Sequence, residues 1–505
     1  TVCTMPVMPV IYLRLFPCSR LKTRILTELG RASRLSECLY SERISRISRQ
    51  PLHSKRKRCI ILCGSKHRPL SALVLLDNVA RSLVILAPVE LYRTCRNRRT
   101  CELCNIMLRD SAHIQEFEAQ WKNRKAKRAG REEYVPIYNT EDAAAACELM
   151  IPVDYNQVVK VCDEFQIKFV DAGHLLGSSS IEMKVTENGV SKTIIFSGDI
   201  GNINKPIIKD PETLKGADYV LIESTYGDRL HEERPDYIKT LTKVLEETFE
   251  KGGNVVIPSF AVGRTQEMLY FLRIIKKENL IKKYPDFEVY VDSPLAVQAT
   301  NIFNNNVVDC FDEETKKLIN YGINPLQFEG LKVSVTSNDS IAINEDTKPK
   351  VILSASGMCE AGRIRHHLKH NLWKENSTIL FVGYQAIGTL GRNLLEGATS
   401  VKLFGEEIAV KARIESLKGI SGHGDQKELI RWLEAMEIKP EKVFVVHGED
   451  NVCDYFANLL EKEHGFNTYA PYSGTEFDLL TGEIIKEGVP IPIKKKSAKE
   501  RRASS

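Results

Sequence analysis

The chain has 505 residues, of which 43% are hydrophobic and 27% charged, and its formal net charge is +5. This composition is typical of a globular protein with two or more domains, and it excludes a fibrous protein or a disordered tail. The most apolar stretch, residues 71–91, is interrupted by Asp77, Asn78 and Arg81, so no transmembrane span is predicted and we expect a cytoplasmic protein.

Residues 1–100 differ in composition from the rest of the chain. They contain 20 Lys and Arg residues against 5 Asp and Glu, whereas the remainder contains 51 against 61, and they hold only two of the 30 glycines. No helical or strand period is sustained in this segment. We interpret it as an aberrant basic segment that is not the natural partner of residues 101–505, for example because its reading frame is shifted. A basic nucleic-acid-binding arm is the alternative.

A regular pattern begins at about residue 101. A charged helix is predicted first, followed by three strand-forming segments that each close on small or polar residues, and then by helical and apolar runs in alternation. Strands followed by helices at this spacing predict parallel sheets covered by helices. The segments are AHIQEFEAQWKNRKAKRAG, QIKFVDAGHLLGSSSIEMKV, KTIIFSGDI, DYVLIEST, YIKTLTKVLEETFEKG, NVVIPSF, RTQEMLYFLRIIKKENL and FEVYVDSP.

A second set of strands and helices occupies the C-terminal part of the chain. It ends in residues 486–505, which are rich in lysine and arginine and are predicted to be a basic disordered tail. The segments before the tail are VILSASG, GRIRHHLKHNLW, STILFVGY, QKELIRWLEAM, KVFVVHGE and VCDYFANLLEKEHG.

Five ionisable side chains lie at predicted strand ends or in the adjoining loops, where α/β proteins place their functional sites. Taken singly, each has an ordinary explanation, because a histidine after an apolar strand is most often structural and an aspartate after glycine usually forms a turn. The five are His174, Asp199, Glu223, His423 and His447.

The sequence around these five residues changes that interpretation. The motifs DAGHLLGSSS, FSGDIGN, ESTYGDR, SGHGD and VVHGE occur in this order, and VIPSFAVGRTQE, VDSPLA, SASGMCEAGRIRHHL and GYQAIGTLGR lie between them. Together they resemble the β-CASP ribonucleases of the metallo-β-lactamase superfamily, from about residue 100 to the C-terminal tail. Several independent motifs in the correct order are specific, unlike one short motif.

The resemblance implies a fold and a division of the chain. The expected fold is α/β, a metallo-β-lactamase αββα sandwich whose N-terminal part is aberrant and into which an α/β β-CASP cap is inserted. The hydrolase domain would occupy residues 101–236 and 373–485, with the cap at residues 237–372 between the two parts.

The resemblance also implies a two-zinc site. His174 would bind one zinc, Asp199 would bridge the two, and His447 would bind the second, in keeping with the nitrogen and carboxylate ligands that zinc prefers. His423 would protonate the leaving oxygen of a phosphodiester, and Glu223 would orient that histidine. Asp171 is expected to position the metal ligands without binding a metal itself. A turn at the end of a strand explains an aspartate at this position nearly as well.

Two glycine-rich turns before predicted helices are candidates for binding RNA phosphates. Ser356, Gly357 and Arg363 belong to the first, and Arg264 belongs to the second. Turn formation alone explains the glycines about as well. Three histidines at helical spacing after the first turn are interpreted as solvated or RNA-facing residues rather than metal ligands: His366, His367 and His370.

One motif that the resemblance implies is missing. An H-x-H-x-D-H loop would supply four of seven metal ligands, but the only histidines before residue 100 are His53 and His67, and neither has that spacing. With His174, Asp199 and His447 alone, neither zinc would have three protein ligands.

Three functions therefore stay open. The first is a zinc-dependent ribonuclease that acts on single-stranded RNA and is dimeric by analogy, and this chain would be inactive if nothing replaces the missing loop. The second is a non-catalytic β-CASP module that binds RNA or protein. The third is a small-molecule metallo-hydrolase, against which the cap counts.

Overall fold

The structure is a computed structural model that describes residues 94–490, apart from residues 129, 131, 233, 234 and 418. Before residue 94 it describes only four short strands, β1 (Ile11–Arg14), β2 (Cys59–Cys63), β3 (Ala72–Leu76) and β4 (Leu83–Ile85). The predictions about an aberrant N-terminal segment and a disordered tail therefore fall mostly outside the described residues.

In the residues that the structure describes up to 236, two helices and seven strands follow β4. They are β5 (Thr94–Asn97), α1 (Arg98–Arg128), α2 (Thr140–Glu148), β6 (Met150–Val153), β7 (Val158–Lys160), β8 (Phe165–Asp171), β9 (Ser179–Glu187), β10 (Val190–Phe196) and β11 (Tyr219–Glu223).

The middle part alternates helices with short strands. In order these are α3 (Tyr237–Phe249), β12 (Val255–Pro258), α4 (Arg264–Lys277), β13 (Glu288–Val291), α5 (Pro294–Asn305), α6 (Val307–Cys310), α7 (Glu313–Asn320), β14 (Leu331–Val333), α8 (Ser337–Glu345), β15 (Lys350–Ser354), α9 (Ile364–Asn371), β16 (Thr378–Phe381), α10 (Leu390–Leu395), β17 (Ser400–Leu403), β18 (Glu406–Ala409) and β19 (Arg413–Ser416).

The C-terminal part returns to the first sheet. It comprises α11 (Gln426–Glu434), β20 (Lys442–Val446), α12 (Asp450–Lys462), β21 (Thr468–Tyr469), β22 (Thr475–Asp478) and β23 (Ile484–Lys486).

A seven-stranded sheet with the order β21-β20-β11-β10-β9-β8-β7 forms the centre of the hydrolase part. Strands β10, β11 and β20 are parallel, and β9 runs antiparallel between β8 and β10, so β8 points in the same direction as those three. The carboxyl ends of β8, β10, β11 and β20 consequently meet at one edge of the sheet.

Both faces of this sheet are covered, because its strands alternate apolar residues between the two sides. Tyr219 and Leu221 of β11 face a core shared with β5, β6 and β22, whereas Val220 and Ile222 pack with helices α11 and α12. A sheet packed between strands on one face and helices on the other is half of the expected sandwich.

The cap is built on a six-stranded sheet with the order β14-β13-β15-β12-β16-β19, in which all neighbouring strands are parallel. Local sequence explains where several of its helices begin. The Asp236 side chain accepts a hydrogen bond from the backbone N–H of Lys239, and Ser293 caps α5 directly before Pro294.

The expected α/β fold, a metallo-β-lactamase sandwich with an inserted cap, is confirmed. Strands β16 and β19 belong to the cap sheet, so that sheet continues through Ser416, beyond the boundary predicted at residue 372. The division into domains remains a prediction. Among the helices of the described residues, none is long and apolar enough to cross a membrane.

Candidate active site

The carboxyl edge of the seven-stranded sheet brings together all five polar residues that the sequence singled out. His174 and Asp199 follow β8 and β10 by three residues each, Glu223 ends β11, and His447 directly follows β20. His423 enters from the loop between β19 and α11. All five are at most 9% exposed, so the site is a buried pocket at the end of the strands.

Asp199 lies at the centre of this group. Its Oδ1 is 3.2 Å from Nδ1 of His447. Its Oδ2 is 3.8 Å from Nε2 of His174 and 3.8 Å from Nε2 of His423. The rings of His174 and His423 are in contact, with centroids 4.4 Å apart. One carboxylate thus faces three imidazoles.

His423 is held by Glu223, whose Oε2 lies 2.9 Å from Nδ1 of the histidine ring. The same carboxylate accepts hydrogen bonds from the backbone N–H of Ile200 and from the Thr225 hydroxyl, each at 2.5 Å. Burial raises the pKa of Glu223, but the charge and hydrogen bond of His423, followed by those of His447, lower this pKa by more, to well below its ordinary value. Glu223 is therefore a carboxylate at neutral pH, and it directs Nε2 of His423 into the pocket.

Backbone hydrogen bonds fix the loops to one another. The N–H of Gly201 donates to Ala172 at 2.7 Å, and the N–H of Gly424 donates to Ile200 at 2.8 Å. Gly422 lies so close to His174 that an added Cβ would be 2.8 Å from Cε1 of that ring. Small residues around the histidines are thus required by close packing and not only by turns.

His447 has a positive φ of 54°, in the left-handed region that non-glycine residues rarely occupy. Its carbonyl accepts a hydrogen bond from the N–H of Ser224 at 3.3 Å. Backbone strain of this kind is concentrated at functional sites, where the surrounding structure holds it in place.

Lys205 was not predicted from the sequence. Its Nζ lies 2.7 Å from the carbonyl oxygen of His174 and 3.5 Å from that of Gly422, and the residue is only 9% exposed. The ammonium group therefore joins the His174 loop to the His423 loop. No short sequence motif identifies a buried lysine of this kind, because its contacts with two carbonyl groups form only when distant segments of the chain come together.

His231 and Tyr226 were also not predicted. The ring nitrogen Nε2 of His231 is 2.9 Å from the carbonyl oxygen of His423, and the ring of Tyr226 lies edge-on to His231 at 4.7 Å between centroids. Tyr226 lies within the ESTYGDR motif and His231 follows it. Both support the loop that carries His423.

The donor set fits a divalent metal such as zinc. Two groups of three donors share Asp199, and in each group the possible ligand atoms lie within 4.8 Å of one another: His174, Asp199 and His423 form one, and Asp199, Glu223 and His447 form the other. The motifs predicted three ligands for two metals. The structure places His423 and Glu223 beside these three as further possible donors, although Nδ1 of His423 and Oε2 of Glu223 also engage each other.

Asp171 is 7% exposed and accepts a hydrogen bond from the N–H of Gly173 at 2.9 Å. Burial raises the pKa of Asp171 to about 7, against the lowering effect of that backbone hydrogen bond. The contact fixes the turn that carries His174.

The residues expected to bind RNA phosphates are engaged within the protein. Arg264 donates to the carbonyl oxygen of Ile420 at 2.7 Å and pairs with Glu267, and its side chain is 12% exposed. Arg264 thereby connects the first turn of α4 to the loop that carries His423. A guanidinium with these partners is a poor candidate for a free phosphate ligand.

Arg363 is engaged in the same way, in a buried cluster of the cap. It donates to Oδ1 of Asp292 at 2.6 Å and to the carbonyl oxygen of Val335 at 2.7 Å. Ser356 exchanges hydrogen bonds with the backbone of Ala361, and Gly357 packs against Phe260. These contacts shape the turn before α9, and none of them is with the five-residue pocket.

The interpretation of His367 as solvated or RNA-facing was wrong. Its side chain is fully buried, with Nε2 2.6 Å from Asp292 and Nδ1 2.9 Å from Asn344. The neighbouring His366 instead stacks on the ring of Phe404, with centroids 4.3 Å apart. The two residues lie on different sides of the helix, which a histidine-rich string does not reveal.

Comparison with known proteins indicates the same family as the sequence motifs. Residues 265–394 match the model of the Beta-Casp domain, and residues 407–471 match that of the Zn-dependent metallo-hydrolase RNA specificity domain. Ribonuclease TTHA0252 of Thermus thermophilus is 36% identical over 325 residues, which cover 64% of this chain and 72% of that protein. The chain belongs to the β-CASP ribonuclease family.

Two further relatives of this family come from the archaeon Methanocaldococcus jannaschii. An RNase J-like protein is 32% identical over 341 residues, 67% of this chain and 76% of that protein. Transcription termination factor FttA is 31% identical over 357 residues, 68% of this chain but only 54% of that protein. The matches to this family thus span both the cap and the hydrolase parts of the chain.

Proposed function

We propose that this chain is a zinc-dependent hydrolase of phosphodiester bonds in single-stranded RNA, acting in the cytoplasm in RNA processing or degradation. The observation that carries the proposal is the convergence of His174, Asp199, Glu223, His423 and His447 in one buried pocket. An unused pocket has no need for two histidines that both contact the same pair of carboxylates.

The residues divide into two roles. His174, Asp199 and His447 would hold two zinc ions, with Asp199 between them. Bound zinc supplies positive charge that polarises a phosphodiester and helps to generate hydroxide near neutral pH. Because Glu223 engages Nδ1 of His423, Nε2 is the atom that can donate a proton to the leaving oxygen. The ionised Glu223 holds the ring of that histidine in this orientation.

RNA phosphate binding is proposed for the turn of Ser356 and Gly357, beside the cap sheet. Its small side chains allow a phosphate to approach the backbone closely, and helix α9 begins a few residues later. Arg363 and Arg264 would act by holding this turn and the His423 loop, since their guanidinium groups have internal partners. A homodimer stays a prediction, to be tested by sedimentation.

A second candidate function is a β-CASP module that binds RNA without cleaving it. The sequence favours it in one respect, because it contains no H-x-H-x-D-H loop. Zinc content separates the two: the enzyme requires about two zinc ions per chain, as in two-metal hydrolases, and the module requires none.

The test measures zinc by mass spectrometry and cleavage of single-stranded RNA with the purified full chain. We expect bound zinc that Asp199→Asn removes, and cleavage that both Asp199→Asn and His423→Ala abolish. The His423→Ala chain should keep its zinc, because His423 is proposed as the proton donor and not as a ligand. Wild-type protein that binds RNA, holds no zinc and leaves RNA intact would support the module and refute the enzyme.

A further inference from the structure

Helix α1 carries exposed aromatic side chains among basic residues, far along the helix from the active site. Phe117 and Trp121 on the helix are 60% and 49% exposed. A single exposed ring is ordinary, but two large rings side by side on one helix form an apolar patch, and such patches mark binding surfaces more often than single rings do. We call the surface formed by Phe117, Trp121, Arg124 and Arg128, which lie on one side of the helix, the α1 aromatic surface.

The α1 aromatic surface is held in a fixed arrangement. Phe117 and Trp121 are four residues apart on the helix and therefore lie on the same side, about 6 Å apart along its axis. The helix therefore presents both rings on one side before any ligand binds.

Positive charge surrounds these rings. Residues 117–134 contain six Lys and Arg residues against three Glu, although the chain beyond residue 100 is acidic as a whole. The side chains of Arg124, Lys127 and Arg128 are exposed. This local concentration is the charge pattern that attracts a phosphate backbone.

Buried residues along α1 anchor the helix in the fold. Leu103, Cys104, Ala112 and Ala119 are buried, and the hydroxyl of Thr100 donates to the carbonyl oxygen of Gly177 at 2.7 Å, next to the His174 loop. Trp121 is 21 residues further along the helix, or about 30 Å from that start. The helix therefore places the surface at a fixed distance from the active site.

We propose that the α1 aromatic surface is a second binding site for single-stranded RNA, in which bases stack on Trp121 and Phe117 while the basic side chains contact phosphates. Stacked aromatic rings within a positively charged surface are how proteins bind single strands without reading their sequence. The inference rests on the proposed function, because it assumes that RNA is the substrate. A protein partner is the alternative, but six cations favour a polyanion over an apolar contact.

Binding of a labelled oligouridylate to the full chain tests the proposal. The oligonucleotide has about 20 nucleotides, longer than the roughly 4–16 that one single-strand site occupies. We expect the double change Phe117→Ala and Trp121→Ala to weaken binding about ten-fold or more, since each stacked base contributes substantially. Trp121→Tyr keeps a stacking ring and should bind like the wild type. Tyr321→Ala, an exposed ring on another surface at 81% exposure, is the matched control and should have no effect.

Tryptophan fluorescence gives a second readout, which reports on the site itself. The chain has three tryptophans, and Trp432 is buried. In a Trp373→Phe background, RNA should quench the emission of Trp121, and the further change Trp121→Phe should remove that quenching. Quenching that persists without Trp121, or unchanged affinity in the double alanine variant, would overturn the proposal. So would a loss of self-association without a loss of RNA binding, which would mark a protein contact.

The binding assay is independent of catalysis. RNA affinity that depends on Trp121 in a chain that cleaves nothing would leave the second site standing and refute the proposed enzyme. Cleavage that depends on Asp199, together with RNA binding that does not depend on Trp121, would support the proposed enzyme and refute the second site.

Discussion

Replacing Glu223 by glutamine tests how the buried carboxylate holds the pocket together. The side chain is fully buried and accepts hydrogen bonds from Ile200, Thr225 and His423 at 2.5 to 2.9 Å. Glutamine has the same shape, and its oxygen can still accept from Ile200. Its NH2 group must then face the hydroxyl of Thr225 and Nδ1 of His423. This group donates hydrogen bonds, whereas the carboxylate oxygen at the same position accepts them.

The expected cost comes from the bonds that are lost. A hydrogen bond to a charged group contributes about 1.5–3 kcal/mol, and a buried donor left without an acceptor costs a similar amount. One such contact, between Glu223 and His423, is fully buried on the carboxylate side. We therefore expect Glu223→Gln to lower the free energy of unfolding by about 2 kcal/mol at neutral pH.

The effect must depend on pH in a defined direction. The pKa of Glu223 in the folded chain lies below its ordinary value of 4.5, so its carboxylate stabilises the fold above pH 4.5 and loses this contribution as the pH falls further. The difference between wild type and Glu223→Gln should accordingly be full at pH 7 and shrink below pH 4.5.

Urea unfolding followed by tryptophan emission measures this difference. Trp432 is a suitable reporter, because it is buried on α11 against the same sheet. Glu461→Gln, at an exposed position of α12, is the control and should change nothing. Equal stability of Glu223→Gln and wild type at pH 7, or a difference that stays constant down to acid pH, would refute this role of Glu223.

Three further changes test the contacts around the pocket. Gly422→Ala should displace His174, whose ring would be 2.8 Å from the new Cβ, and should reduce zinc content severalfold. Gly383→Ala is the control, because its Cβ would make only an ordinary contact and zinc content should not change. Equal zinc content in the two variants would contradict this prediction. Lys205→Met should leave two carbonyl groups without their ammonium partner and lower the free energy of unfolding by about 1–3 kcal/mol, measured in urea. Arg264→Met should reduce kcat because the His423 loop loses an anchor, whereas removal of a phosphate ligand would mainly raise KM.

The fold and the pocket were largely predictable because strand ends carry a clear signal. Apolar runs that close on His174, Asp199 or Glu223 define strands, and parallel strands bring such ends to one edge. The order of the motifs then indicated the family. Which histidine engages which carboxylate was predicted only by resemblance, and the chemical roles of the five residues remain to be tested.

The features that were not predictable depend on contacts between distant segments. Lys205 and Arg264 look like surface cations in the sequence, yet each donates to carbonyl groups of the loops around the pocket. His367 looks solvated in a run of three histidines, but its helix face turns it toward Asp292. The extent of the cap was also hidden, because β19 joins its sheet only after the α10 helix and the β17–β18 hairpin.

The most direct test of the metal-binding pocket is the position of bound metal in crystals of the full chain, located by anomalous scattering at the zinc edge. We predict zinc in contact with the carboxylate of Asp199, together with His174 on one side and His447 on the other. Crystals grown with zinc that show no peak at Asp199, while zinc binds elsewhere on the chain, would contradict that prediction.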